Sequence, residues 1–431
     1  MTNRSTAGLI TRRDQLLGTG AALFYEEPLT IVRGEGVYLF DEAGRRFVDM
    51  YNNVPCVGHA HPRVVEAMAR QAGTLNVHSR YLHPGVLDYA EKLLDRHHES
   101  LTSAVFACTG TEANEVALLM ARAATGNRGI LCTDSAYHGN STEVGRLTFA
   151  RNLPPESEFR SIPFPQTYRP LRPGVSSKEL TDLYLDEMRR AIDDFARNGI
   201  ALAGMLVCPI LANEGLPNIP EGFMARAVEV VHEAGGLFIA DEVQAGFCRT
   251  GRWWGYEKMG FVPDIVTMGK PIGNGMPISA VVASTDLVDE FRRRSRYFNT
   301  FASSPLQAAV GSAVLDVIES EGLRRNVVET GAHLRRGLEA FQETCEPMAE
   351  VRGHGLFLGV EWVSDRKAKT ADVEGVVAVV NRLKDRGFLT SNAGALRNVL
   401  KIRPPLCFGR EHADAFLDAF GETLRELGHL G

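Results

Sequence analysis

At 431 residues, with 44% apolar and 23% charged side chains, the chain is long enough for more than one core and has the make-up of an ordinary globular protein. A net charge of −6 leaves no basic footprint for nucleic acid, and no apolar stretch approaches membrane-spanning length. Seven cysteines, odd in number, scattered and without a CxxC pair, suggest neither a disulfide framework nor a metal site; the first residues lack an apolar core of signal-peptide length, so a cytoplasmic location is expected.

Residues 1 to about 30 are polar with weak helical periodicity and read as an arm or cap. From Ile31 the alternating text around a DEAGR turn predicts a small antiparallel meander. A helix is expected to begin near Pro62, where proline suits a first helical position, and another to run from Val86 to Leu94. From Val105 short apolar runs alternate with helical segments: VFACTG, GILCTD, GMLVCPIL, GLFIADEV, DIVTMG and ISAVVAS. That alternation predicts an α/β domain with a mostly parallel sheet. The proline-rich stretch from about Asn152 to Ser177 reads as a long surface loop, and the RRRSR run as a solvated helix face. Beyond Pro305 come a long helix, a hairpin in VRGHGLFLGVEWV, a helix near Val373 to Arg386, the strand VLKIRPPLCF and a closing helix.

Chemistry concentrates between Gly236 and Met276. The apolar runs Leu237 to Ala240 and Asp264 to Met268 deliver Asp241 and Lys270, and ligands of parallel sheets collect beyond the carboxyl ends of such strands. An amine in a dry crevice is a better nucleophile toward a carbonyl and can hold an aldehyde cofactor as an imine. A carboxylate facing a pyridine nitrogen would keep it protonated and make the ring an electron sink. Read without context, the same pair is also a plain buried ion pair.

Three further stretches are each open to two readings, and a fourth to one. Thr109, Gly110 and Thr111, before a helix from about Glu112 to Ala124, suit either a phosphate at a helix N-terminus or a simple cap. Tyr137 in AYHG suits either stacking on a flat cofactor or, with His138, loop packing. Thr300 in YFNTFASSP reads alone as a loop threonine. Lys401 and Arg403, two apart and so on one strand face, suit either a clamp for a substrate carboxylate or phosphate or a charged edge strand.

FIADEVQAGFCRTGRWW, IVTMGKPIGNGMP, GTEANE, AYHG and the FNTF stretch, all in order, resemble a class III aminotransferase of pyridoxal-phosphate fold type I, over most of the chain from about Ile31. The resemblance implies a three-layer large domain around a mainly parallel seven-stranded sheet and a small α/β domain from both chain ends. In this chain the segments would be 1–60 (arm and part of the small domain), 61–305 (cofactor-binding domain) and 306–431 (C-terminal small domain). It implies that Lys270 forms the internal aldimine with pyridoxal 5'-phosphate and shuttles the substrate Cα proton, and that Asp241 pairs with the pyridine nitrogen. Val243 and Tyr137 would sandwich the ring, Gln244 would reach its phenolic oxygen, and Gly110 and Thr111 would hold the phosphate. It also implies a homodimer in which Thr300 reaches the neighbouring subunit's cofactor.

Several positions depart from the family pattern: Cys208-Pro209 stands for Glu-Pro, Asn213 for a frequent Glu, and Lys401 for the usual arginine before Pro-Pro, with Arg403 next to Pro404. YNNV, HSRYLH and RNVLKIRPPLCF are similar to the branch of alanine–glyoxylate aminotransferase 2-like proteins, some of which are phospholyases. That likeness brings forward Asn53, Arg80, Lys401 and Arg403 as substrate-binding residues. The expected activity is amino transfer between an amine or amino acid and an oxo acid. The alternatives are elimination from a phosphorylated or phosphonate-bearing amine and a silent cofactor-binding protein, which would be expected to lack the lysine or the aspartate.

Overall fold

The architecture is that of a computed structural model, which describes residues 5–148 and 150–430. Its centre is a seven-stranded sheet of β1 (Ser103–Ala107), β2 (Gly129–Thr133), β3 (Phe159–Ile162), β4 (Leu202–Val207), β5 (Leu237–Asp241), β6 (Ile265–Met268) and β7 (Ser279–Ala283), in the order β1-β7-β6-β5-β4-β2-β3. β7 runs antiparallel to β1 and β6, and the other neighbours are parallel.

Successive side chains of a strand point to opposite faces, and the core divides accordingly. Leu131, Phe238 and Val266 join one apolar cluster, while Ile130, Ile239 and Ile265 join another. Ala113, Val116, Ala117 and Met120, on one stripe of the Gly110–Thr125 helix, complete the second cluster together with Val288 and Phe291 of the Thr285–Arg294 helix. The Ser177–Arg197 and Phe223–Glu233 helices cover the opposite face. The result is the expected three-layer α/β fold with a mostly parallel sheet.

Both chain ends meet in a smaller sheet. The meander Ile31–Glu35, Tyr38–Asp41 and Arg46–Asp49 accepts Phe388–Leu389 as a parallel strand, with Phe388 opposite Val48. A third sheet contains Met348–His354, Phe357–Asp365, Val399–Ile402 and Ser391–Ala393. The end of Val399–Ile402 is tied back to the meander by Arg403 N–H donating to the Met50 carbonyl (2.7 Å).

One local reading needs correction and two gain detail. The stretch from Asn152 to Ser177 is not all loop, because it contains β3; only Phe159 and Ile162 of that four-residue edge strand are buried, too little apolar text to signal a strand. The N-terminal arm contains a helix, Thr6–Leu17, capped by the Ser5 hydroxyl. The 22-residue helix Leu323–Thr344, which the sequence reading passed over, packs against the Met348–His354 strand and the closing helix Arg410–Glu426.

Candidate active site

Asp241 ends β5, and Lys270 begins a short 3₁₀ turn, Lys270–Gly273, just after the neighbouring β6. Parallel pairing of β5 with β6 sets Asp241 opposite Thr267, so both functional side chains emerge at the same end of the sheet. With Gly110, Thr111, Tyr137, Val243 and Gln244 they line a cleft of about 120 Å³.

The Asp241 carboxylate is held from three sides. Its Oδ2 accepts from His138 Nδ1 at 2.6 Å and from Asn114 Nδ2 at 3.1 Å, and its Oδ1 accepts from the Val243 N–H at 3.0 Å. Burial alone would raise its pKa. The hydrogen bond and charge of His138, the Val243 N–H and the Lys270 amine outweigh it and hold the carboxyl below its ordinary value, that is, ionised. Asn114 also donates to the His138 carbonyl (2.7 Å) and accepts from Thr267 Oγ1 (2.6 Å), locking helix, loop and strand together. Burial pushes the Lys270 amine below the ordinary lysine range, Asp241 opposing the shift and Arg403 adding to it.

Across the cleft, Thr109 caps the Gly110–Thr125 helix: its hydroxyl accepts from Glu112 N–H while Glu112 Oε2 accepts from the Cys108 and Thr109 N–H groups. The N–H groups of Gly110 and Thr111 therefore open the helix with no carbonyl of their own helix within reach. A Cβ on Gly110 would lie 3.0 Å from both methyls of Val243, so any larger residue would push that wall of the cleft aside. Gly139 has φ of +144°, and a Cβ on it would meet Thr111 Oγ1 at 2.6 Å, so it leaves that hydroxyl its place. Tyr137, half exposed, and Val243 are the apolar walls between the two ends.

The donor set fits pyridoxal phosphate. A fixed carboxylate suits a ring nitrogen, a desolvated amine suits an aldehyde, and a helix N-terminus with a hydroxyl suits a phosphate. Gln244 Nε2 donates one proton to Asn213 Oδ1 (3.0 Å) and keeps a second for a phenolic oxygen.

Lys401 and Arg403 do point the same way, but they stand behind Gln244 rather than on the cleft wall. Both donate to Gln244 Oε1, Arg403 through Nη1. Lys401 Nζ donates to the Ala212 carbonyl at 2.8 Å, and burial, reinforced by Arg403, pushes its amine well below the ordinary range. Arg403 donates from Nε to the Tyr51 carbonyl (2.5 Å) and lies 4.4 Å from the Tyr51 ring centre. Asn53 is buried, its side-chain amide nitrogen without a protein acceptor. Arg80 and Thr300 lie elsewhere on the chain: both are exposed, with the Arg80 guanidinium 4.2 Å from the Phe298 ring centre.

Sequence reasoning left three participants without a role. His138 was set aside as loop packing, Asn114 sat unremarked in a helix, and Asn213 was noted only as a departure although it bridges Gln244 and the Tyr137 carbonyl. For His138 the signal was adjacency to Tyr137 at a strand's carboxyl end. Asn114 offered only a polar residue on an apolar helix stripe.

This architecture is that of the pyridoxal-phosphate-dependent transferases of fold type I. Within them the chain belongs to the class III aminotransferases, whose family model matches residues 23–424, and it is an enzyme of that kind from the alanine–glyoxylate aminotransferase 2-like branch. It is 37% identical to alanine–glyoxylate aminotransferase 2 homolog 2, mitochondrial, of Arabidopsis thaliana, covering 99% of this chain and 89% of that one. It is 31% identical to ethanolamine-phosphate phospho-lyase homolog 1 of Caenorhabditis elegans, covering 98% and 94%. Among solved structures it is similar to a phospholyase from Arthrobacter in complex with phosphoethanolamine, with 39% identity, a TM-score of 0.93 and coverage of 97% and 99%.

Proposed function

We propose that the chain moves an amino group between an amine or amino acid and an oxo acid, with pyridoxal phosphate seated in the Asp241–Lys270 cleft. Bound there, the cofactor supplies an aldehyde that takes up the substrate amine and a pyridinium ring that acidifies its Cα–H. Asp241, kept ionised by His138, the Val243 N–H and Lys270, would hold a proton on the ring nitrogen. Lys270 Nζ, desolvated by burial, would take the proton from the substrate Cα and return one to the cofactor's aldehyde carbon. Gly110 and Thr111 anchor the phosphate, while Tyr137 and Val243 hold the ring flat. The observation that carries this reading is the convergence of a fixed carboxylate and a desolvated amine at the ends of two adjacent parallel strands.

Elimination is the second reading, favoured by the likeness to the Arthrobacter phospholyase and by the buried cation pair behind Gln244. Proton removal by Lys270 is common to both, and a leaving group at the next carbon would divert the outcome. Arg403, Lys401, Asn53 and Arg80 are the groups proposed to recognise the substrate's anionic end. Enzyme mixed with candidate amines and no oxo acid separates the two. Stoichiometric conversion of the cofactor to its amine form supports transfer, whereas sustained phosphate and ammonia release with the cofactor spectrum recovered supports elimination.

We further infer a homodimer in which Thr300 is offered to the neighbouring site. Support comes from the apolar surface around it, where Tyr81, Leu82, Phe298 and Phe301 are 65%, 98%, 40% and 74% exposed. The segments 1–60, 61–305 and 306–431 are proposed as the arm, large domain and small domain, as the meeting of both chain ends in one sheet supports. A cytoplasmic setting is part of this proposal; the seven unpaired cysteines fit a reducing compartment in general. No helix among the described residues is long and apolar enough to cross a membrane.

A further inference from the structure

A cavity of about 520 Å³, larger than the Asp241–Lys270 cleft, opens on the far side of the segment that follows β5. Its charged lining is all of one sign: Arg252, Lys258, Arg324 and Arg335 face it beside the His354 ring, and no carboxylate does. Arg252 and Lys258 come from the segment after β5. Arg324 and Arg335, with Val328 between them, form one stripe of the Leu323–Thr344 helix at helical spacing. His354 ends the Met348–His354 strand.

Like charges gathered this closely repel, and the rest of the chain does little to relieve them. Arg335 pairs with Glu339 at 2.7 Å and donates to the Gly353 carbonyl at 3.0 Å. Arg252, Lys258 and Arg324 make no ion pair among the described residues, although the chain has a net charge of −6 and acids to spare. Burial, then Lys258 and Arg335, push the His354 ring down to about 4, so at neutral pH it is an uncharged ring with a hydrogen bond to give. One wall polar atom, Thr250 Oγ1, is buried with no partner.

We propose that this cavity is a second ligand site, for a small anion carrying two or more phosphoryl or carboxyl groups. Cations that line the cavity from separate elements match a ligand with an anionic group at each end, because each group can be gripped on its own side. The volume lies in the range of small-molecule sites, on the order of 300–1,000 Å³. A ligand bridging Arg252 and Lys258 to Arg324 and His354 also ties the C-terminal helix and hairpin to the segment that leaves β5, and so stabilises the folded chain. Nothing in this assignment depends on which reaction the Asp241–Lys270 cleft performs.

The test is calorimetric titration of the full-length, cofactor-loaded protein with pyrophosphate and, separately, citrate. Cofactor loading keeps the Gly110–Thr111 end of the other cleft from taking the probe. The expected result is saturable binding of at least one probe, one per chain, weakened by added salt and accompanied by a rise in Tm. The double variant Arg252→Ser/Arg324→Ser should lose affinity by about tenfold or more, while Arg189→Ser, a remote surface change, leaves it intact. Binding of pyrophosphate alone or citrate alone supports the site and names the group it prefers. Both arginines are exposed, and unchanged near-ultraviolet circular dichroism shows the double variant folded. No saturable binding by either probe, or affinity retained in the folded double variant, overturns the proposal.

Discussion

Lys270 and Lys401 are both interior lysines whose amines burial has pushed below the ordinary range, yet they sit in unlike places. Lys270 opens on a cleft beside an ionised carboxylate that hydrogen bonds hold from three sides. Lys401 is 3% exposed and gives its protons to the Ala212 carbonyl and Gln244. A depressed amine is therefore no sign of a nucleophile until its geometry is known: one lysine faces a space where a carbonyl can arrive, and the other is turned to a backbone carbonyl and an amide. Arg403 belongs with the second group, joining Tyr51, Gln244 and the strand end into one polar cluster.

The sharpest way to break that contrast is to remove each amine. Lys270→Ala should lower kcat by at least about 10³-fold, whereas Lys401→Met, apolar and of similar length, should leave measurable turnover; equal losses in kcat would erase the distinction. Next in size, Asp241→Asn should cost about 10²–10³-fold in kcat and let the cofactor dialyse away more readily, because an amide cannot hold a proton on the ring nitrogen. Cofactor retention and kcat equal to those of the parent would contradict that role.

Arg403→Ala tests the second cluster as a substrate clamp, with KM expected to rise about tenfold or more while kcat changes less. Arg403→Lys should not rescue it, since lysine lacks the planar fork. A KM equal to that of the parent in a folded Arg403→Ala protein would leave Arg403 a purely structural residue. The smallest effect lies outside both regions, where His97 stacks on Trp254 at 4.0 Å and 14°. Burial lowers the His97 pKa from 6.5 to about 3. A group depressed in the folded state contributes stability that is present above its unfolded pKa and lost as pH falls. Unfolding free energy should therefore decline from about pH 6.5 toward pH 3, and His97→Phe, which keeps the stack, should flatten that decline in denaturant titrations.

The first cluster was far more legible in the sequence than the second, for a physical reason. Asp241, Val243 and Gln244 are set by one strand and its turn, Lys270 by the next strand, and Gly110 and Thr111 by one helix start, so short local text specifies them. The second cluster draws Tyr51, Ala212, Gln244 and Arg403 together from distant parts of the chain. Alternation along the strand gave the shared direction of Lys401 and Arg403 but not what they meet. The same limit hid His138 and Asn114, whose roles exist only once loop, helix and strand are packed together. β3 was missed because an edge strand that buries two of its four side chains looks like the loop around it.

The central claim is that Lys270, and not Lys401, holds the cofactor. Borohydride reduction of the cofactor-loaded protein, followed by digestion and mass mapping, tests it most directly. The account predicts one reduced cofactor per chain, attached to the peptide containing Lys270; attachment at Lys401, at another lysine, or nowhere would contradict it.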